Sequence, residues 1–553
     1  MDAPPESARF LSTLAEAEAA SAAENWEAAA SLWGIVVAAN PVEGRFWSQL
    51  GEALFHRERY RDAIAAYDHA FALRDGYPAE TAYQIARCSA RLGEMDAARR
   101  WLEQALDLGL RDIAQAQTDE ALAALREDPG LRERLGVFDT APLSREEGWR
   151  ADLRFLAREV KRRAYAPFRL APEARFDAEL DALAHAIPDL TDVQISVEVS
   201  RLLCLLGDAH VEVSLPADHP EQRWLLPVQF ALFEEGLFIV AAAPIHAALL
   251  GAEVIAVGGH PVAEVLAALD TLIPRDNGNG QWPLHLIPHG LRDAPLLHAL
   301  GLAAASREAT LTLCEPDGAT RQVTLAAQHE SAELSRREHF PACPPGWLRL
   351  PETLPAPVPA YLRHVQAPYW FTFLPAERAV YLQFNAVQDH PMEPLAGFSA
   401  RVFGFIADHA VDTLVIDIRW NNGGNSFLLR PLLQGIMGSS LNARGRLFVI
   451  IGRATFSAAQ NFAGLLQRHT AAIFAGEPTG SSPTFVGETI PFTLPYSKLS
   501  VNVSDLLWQG TWPMDYRTWI APTLYAPPTF AAFRANRDVA LEAIFANTDQ
   551  VPG

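Results

Sequence analysis

The chain has 553 residues, 49% of them hydrophobic and 20% charged, with a formal net charge of -21. A single core rarely grows beyond roughly 250–300 residues, so several domains are expected, each burying its own core. The acidic balance, with no run of lysine or arginine to offset it, excludes a nucleic-acid backbone as partner, because such binding needs a basic face.

The opening MDAPPESARF lacks both a basic start and an apolar stretch, so no secretory signal is expected. The most apolar segment, Leu237 to Val257, is broken by Pro244, His246 and Glu253, which fits strand, turn and strand better than a membrane span. Cys88, Cys204, Cys314 and Cys343 are scattered and form no CxxC pair. They predict reduced thiols and a cytoplasmic protein.

Residues 1–135 are alanine-rich and helical, with a period of about 34 residues, that of tetratricopeptide repeats. Trp47, Leu50, Gly51, Leu54, Ala63, Tyr67 and Ala70 occupy the helix-packing offsets of one repeat, and Ile85, Ala86, Gly93, Ala98, Leu102 and Ala105 those of the next. Ala29, Trp33, Val36 and Pro41 mark a degenerate earlier copy. Small residues let paired helices approach, and such an array offers a groove for a peptide or protein partner. Residues 136–220 continue as a helical segment that closes on RLLCLLGDAHVEVSL, where the pattern turns to strand after Gly207 and His210 sits at the junction. Over residues 221–330 strand-like runs dominate (PVQFALF, LFIVAAA, AEVIAVGG, ATLTLC, RQVTLAA) around one helix, VAEVLAALDTLI, a content that resembles a PDZ-type α+β module. Residues 331–376 form a proline-rich connection ending in YWFTFL, which pairs with AVYLQF around a PAER turn. Across residues 377–553 strands alternate with helices, which predicts crossover units and a largely parallel sheet.

Chemistry concentrates in two segments of that last region. In GRATFSAAQNFAGLL, Ser457 follows a buried strand and opens an amphipathic helix, where free amide hydrogens favour developing negative charge. A serine there is either a nucleophile or simply a helix cap. In TLVIDIRWNNGGNSF, a strand ends in a turn whose Gly423 and Gly424 let backbone amides approach a reacting carbonyl; an ordinary strand-to-helix turn has the same composition. A hydroxyl nucleophile needs a base. Only two lysines exist, Lys161 in an upstream helix and Lys498 in a segment that reads as a strand edge, whereas sixteen histidines are available. His285 and His289 have helical metal-ligand spacing, but Pro288 is expected to break that helix, and no HExxH or Cys–His cluster appears, so no metal and no cofactor are expected.

Taken in order, LLGDAHVEV, VIDIRWNNGG, GRATFSAAQNF, AGEPTG and WPMDYRTWIAPTLYA resemble the carboxyl-terminal processing peptidase family, and within it the tricorn core protease branch. The likeness spans roughly residues 144–545. It implies a multidomain chain in which an α/β crotonase-like spiral forms the catalytic core, beside the helical segment and the PDZ-like domain. It also implies Ser457 as nucleophile, His210 as base, the amides of Ala458 and of Gly423 or Gly424 as oxyanion hole, and Asp515 as the acid, with Glu477 and Glu488 as competitors. Family members with a lysine base carry it about 25 residues after the serine; here Ser481, Ser482 and Pro483 stand there. The implied activity is hydrolysis of a peptide through an acyl-enzyme. Ester hydrolysis, acyl transfer or cyclisation in a biosynthetic pathway, and non-catalytic ligand or partner binding are the alternatives. A tetratricopeptide-like front end lies outside the usual architecture of that family.

Overall fold

The computed structural model describes residues 6–74, 76–137, 143–315, 318–330 and 341–548, so the first part of the expected proline-rich connection, 331–340, lies outside the described residues. The chain divides into two compact units: Met1–Ala164 with Phe492–Lys498, and Tyr165–Pro491 with Leu499–Gly553.

In the first unit, helices Glu6–Ala22, Trp26–Ala39, Gly44–His56, Tyr60–Ala72, Pro78–Arg91 and Met95–Asp107 follow one another through short turns. Every helix buries at least one alanine, and Trp33, Tyr67 and Tyr83 are among the large side chains buried with them. Gly51 shows why small residues recur: a Cβ there would lie 2.7 Å from the Tyr67 ring. Helix Arg145–Arg163 begins with a capping box in which Ser144 and Glu147 satisfy each other's backbone amides. Along it, the fully buried Asp152 accepts the amides of Tyr496 and Ser497, both at 2.7 Å. Lys498, expected on a strand edge, instead turns the chain there with φ +62° and donates to the Pro495 carbonyl at 2.5 Å.

In the second unit, helices Glu173–Ala186 and Asp192–Leu203 precede a seven-stranded sheet built on strands Val228–Leu232, Leu237–Ala242, Glu253–Val257, Glu308–Cys314 and Thr320–Ala326. Helix Val262–Asp270 follows, and Gln281–Gly290 is a helix that runs through Pro288. The expected break does not occur: the helix continues two residues past Pro288, which gives up only its own N–H bond to the carbonyl four residues before it. His285 and His289 therefore do share a helix face, with ring centroids 5.2 Å apart.

The remaining strands form a six-stranded sheet in the order Tyr369–Leu374, Ala379–Phe384, Thr413–Asp417, Leu447–Ile451, Ile473–Gly476, Leu524–Tyr525. The first pair is antiparallel and the other four pairings are parallel. The central strands TLVID and LFVII are buried at every position, as expected of strands covered on both faces. One face carries Val380, Leu414 and Val449 against helices that include Ala458–His469; the other carries Tyr381, Val415 and Phe448 against the C-terminal helix. Among the described residues no helix is long and apolar enough to cross a membrane.

Candidate active site

Ser457 sits where a parallel strand hands over to a helix. Strand Leu447–Ile451 ends, and the loop after it is pinned from below: Gly452 N–H donates to Thr455 Oγ1, which itself donates to the Ile418 carbonyl, both at 3.0 Å. Phe456 N–H donates to the Asn421 carbonyl at 3.1 Å. The next residue, Ser457, has φ +52° and ψ -121°, a region that non-glycine residues rarely occupy. Its side chain makes no capping hydrogen bond to the helix Ala458–His469. The capping explanation for a serine at this position is thereby removed.

The glycine turn lies directly against this serine. A Cβ on Gly423, whose φ is +108°, would come 2.7 Å from Ser457 Cβ and 2.8 Å from Ala458 N. Only glycine fits there. Gly423 N–H is already donated to Asn421 Oδ1 at 2.9 Å. The amides of Gly424 and Ala458 have no acceptor among the described residues.

His210 comes from the other end of this unit. After helix Asp192–Leu203 and a short turn, Gly207 takes φ +61°, and a Cβ there would strike Leu170. Asp208 then fixes the loop: its carboxylate accepts His210 N–H at 2.9 Å and Ser504 N–H at 3.1 Å. The imidazole stacks on Phe485 at 5.5 Å and lies tilted against Phe456 at 4.5 Å, and Trp282 stacks on Phe456 at 4.0 Å. Phe456 immediately precedes Ser457, so the aromatic slot brings the histidine ring to the serine segment.

A second link joins the two through Asp276. Ala209 N–H donates to Asp276 Oδ1 at 3.0 Å, and Ser481 Oγ donates to Asp276 Oδ2 at 3.0 Å. Ser457 N–H in turn reaches Ser481 Oγ at 3.4 Å. Asp276 and Ser481 are both fully buried. Burial pushes the Asp276 carboxyl up to about 6, with His210 pulling in the opposite direction. For His210, burial disfavours the charged ring, but the Asp208 carboxylate and then Asp276 outweigh it and hold the imidazole above its ordinary value. Asp208 Oδ1 is 3.7 Å from Nδ1, an ion-pair distance beyond hydrogen-bond reach. Neither ring nitrogen has a hydrogen-bond partner among the described residues. Asp208, His210 and Asp276 each present one atom within 4.8 Å of the others, which is the single grouping among the described residues able to hold a metal ion.

The expected acids have other partners or are exposed. Asp515 accepts from Thr511 Oγ1 at 2.8 Å and from Arg517 Nη2 at 2.6 Å, and Arg517 above all holds it below the usual carboxylate range. Glu477 pairs with Arg453 at 2.7 Å, and Glu488 is exposed. None of the three neighbours the imidazole in the way Asp208 and Asp276 do. Asp208 belongs to the GDAH motif, where sequence alone gives it no role, and Asp276 in RDNGNG looks like any polar turn. Its partners are 67 and 205 residues away, so no local signal marks it.

No protein-family model and no curated protein matches this chain. Solved structures do. Mature CPAF complexed with lactacystin matches at 13% identity over 73% of this chain and 98% of that one, with a TM-score of 0.52. A serine-to-alanine mutant of CPAF matches at 14% identity over 73% and 96%, with a TM-score of 0.51. The photosystem II D1 C-terminal processing protease matches at 13% identity over 73% and 97%, but its TM-score of 0.33 is too low to argue from. The chain thus shares its fold with CPAF, and at this identity the likeness is one of fold.

Proposed function

We propose that this chain is a serine peptidase that hydrolyses peptide bonds through an acyl-enzyme, with Ser457 as nucleophile and His210 as base. The observation that carries the reading is the conformation of Ser457: strained, uncapped, and set against a glycine that leaves no room for a side chain. Strain of this kind costs on the order of 1–3 kcal/mol and persists where function requires a side chain to be aimed.

In the proposed reaction His210 takes the Ser457 proton as the hydroxyl attacks the carbonyl, and then gives it to the leaving amine. Water releases the acyl group by the same route. The amides of Ala458 and Gly424 receive the oxyanion, since both are free of other acceptors. Gly423 supplies space for the approach; its own amide is committed to Asn421. Asp208 and Asp276 stabilise the imidazolium that forms and take the role that the family resemblance implied for Asp515. The six consecutive helices are read as a tetratricopeptide-like array able to hold a peptide or protein partner, and the seven-stranded sheet with its helices as a PDZ-like module. The alternating strands and helices after Ala379 are read as a crotonase-like core of tricorn type.

Treatment with a fluorophosphonate should label the wild-type protein at Ser457 and leave Ser457→Ala unlabelled. Peptides incubated in H₂¹⁸O should yield carboxyl products carrying the label. Persistence of labelling in Ser457→Ala would overturn the assignment of the nucleophile.

A further inference from the structure

The backbone conformation of Ser457 is rarely populated, and such a residue keeps its place only where the surroundings over-determine it. Part of that restraint comes from a side chain. Ser457 N–H precedes the helix Ala458–His469 and has no backbone acceptor among the described residues. It donates instead to Ser481 Oγ at 3.4 Å, 24 positions along the chain. Ser481 is fully buried and belongs to a segment laid against the nucleophile loop. Gly480 N–H donates to the Thr455 carbonyl at 3.0 Å, and a Cβ on Gly480 would lie 2.2 Å from the Arg453 carbonyl oxygen. Thr479 Oγ1 donates to the Ser481 carbonyl at 3.0 Å.

A hydroxyl can turn, so its orientation needs a cause, and Asp276 supplies one. An ionised carboxylate only accepts. Ser481 Oγ therefore gives its proton to Asp276 Oδ2, at 3.0 Å, and keeps its lone pairs for the Ser457 amide. The other oxygen, Asp276 Oδ1, accepts the N–H of Ala209, the residue before His210. One buried carboxylate thus ties the loop of the base to the amide of the nucleophile, with Ser481 as the joint.

We infer that Ser481 is a positioning residue for the nucleophile: oriented by Asp276, its hydroxyl holds the Ser457 amide and keeps the Ser457 side chain aimed. The role rests on the reading of Ser457 as nucleophile. Ser481→Ala removes one heavy atom and the contact with it. Hydrogen exchange resolved to single amides should show Ser457 N–H exchanging about tenfold faster or more in this variant. The Ile418 amide, bonded to the Ile450 carbonyl in the sheet, should keep its wild-type rate, which a general loosening of the fold would not allow. In fluorophosphonate titrations the maximal labelling rate should fall by about tenfold or more, with the half-saturating concentration unchanged, as expected of a group that orients the attack and does not bind the reagent. Asp276→Asn offers one acceptor oxygen where two are used, so it should speed Ser457 exchange as well. The double variant should label no more slowly than Asp276→Asn alone, because both substitutions act through one contact. Thermal unfolding identifies a Ser481→Ala protein that has not folded, in which case Ser457 exchange in Asp276→Asn is read in its place. No labelling of the wild type defeats the nucleophile reading and the positioning role with it. A labelled wild type, with Ser457 exchange or the labelling rate unchanged in folded Ser481→Ala, overturns the role of Ser481 alone.

Discussion

Ser457 holds a backbone conformation that glycine adopts freely and an L-residue resists, so stability and chemistry oppose each other at this position. Replacing it with alanine removes the hydroxyl but keeps the Cβ and the strain. Replacing it with glycine relieves the strain, less about 0.5–1 kcal/mol for the added freedom of the unfolded chain. Ser457→Gly should accordingly unfold at higher urea than Ser457→Ala, by about 1 kcal/mol, with both variants refusing the fluorophosphonate. Gly423→Ala should abolish labelling while Ser457 itself is intact, because the new methyl would occupy the space within 3 Å of Ser457 Cβ and Ala458 N. The histidine sets the pH response. A base acts when neutral, and Asp208 and Asp276 hold His210 above its ordinary value of about 6.5. The labelling rate should fall as pH drops, with its midpoint above 6.5. In Asp208→Asn a carboxylate that favours the protonated ring is gone, so the midpoint should move to lower pH. A midpoint that stays put would remove Asp208 from the site's electrostatics.

At the scale of elements, the second unit leans on a buried ion network at the end of strand Thr413–Asp417. Arg419 pairs with Asp417 and Asp538, both at 2.8 Å, and Asp538 caps the start of the C-terminal helix by accepting Leu541 N–H. Arg419→Met would leave two buried carboxylates without their cation. Breaking a buried pair from one side costs about 3–5 kcal/mol, and urea unfolding of this variant should show a loss of that order. That network also shows what a sequence can and cannot disclose. The strands TLVID and LFVII, the hairpin of YWFTFL with AVYLQF, and the serine's place between strand and helix were legible because each depends on hydrophobic period and turn residues within a dozen positions. The helix through Pro288 was not, since packing of the surrounding residues can outweigh the one hydrogen bond that proline forfeits. Asp276, Ser481 and Asp538 were illegible for a different reason. Each has a defining partner more than a hundred residues away, and nothing in a polar turn declares that its side chain will be buried.

For the molecule as a whole, the division of the chain has a consequence for how it can be cut. The first unit is not the N-terminal segment alone: it includes Phe492–Lys498, contributed from far downstream. Phe492 and Leu494 are buried there, Phe155 packs edge-on to Phe492 at 6.3 Å, and Asp152 takes the amides of Tyr496 and Ser497. A truncation placed at the end of the helical repeats by sequence alone keeps helix Arg145–Arg163, and with it this pairing. One that begins at Tyr165 removes the helix, exposes two large apolar side chains, and leaves two amides without their acceptor, which costs about 1–3 kcal/mol for each group that stays buried. A chain starting at Ser144 should therefore be recovered soluble, with the amides of Tyr496 and Ser497 protected in hydrogen exchange. A chain starting at Tyr165 should aggregate or lose that protection. Asp152→Ala in the full-length protein should reproduce the loss of protection without removing any element. If the two truncations behaved alike, and Asp152→Ala left exchange at Tyr496 and Ser497 unchanged, the segment Phe492–Lys498 would owe its order to the strands that flank it, Thr484–Thr493 and Ser500–Gln509, and helix Arg145–Arg163 would be dispensable to it.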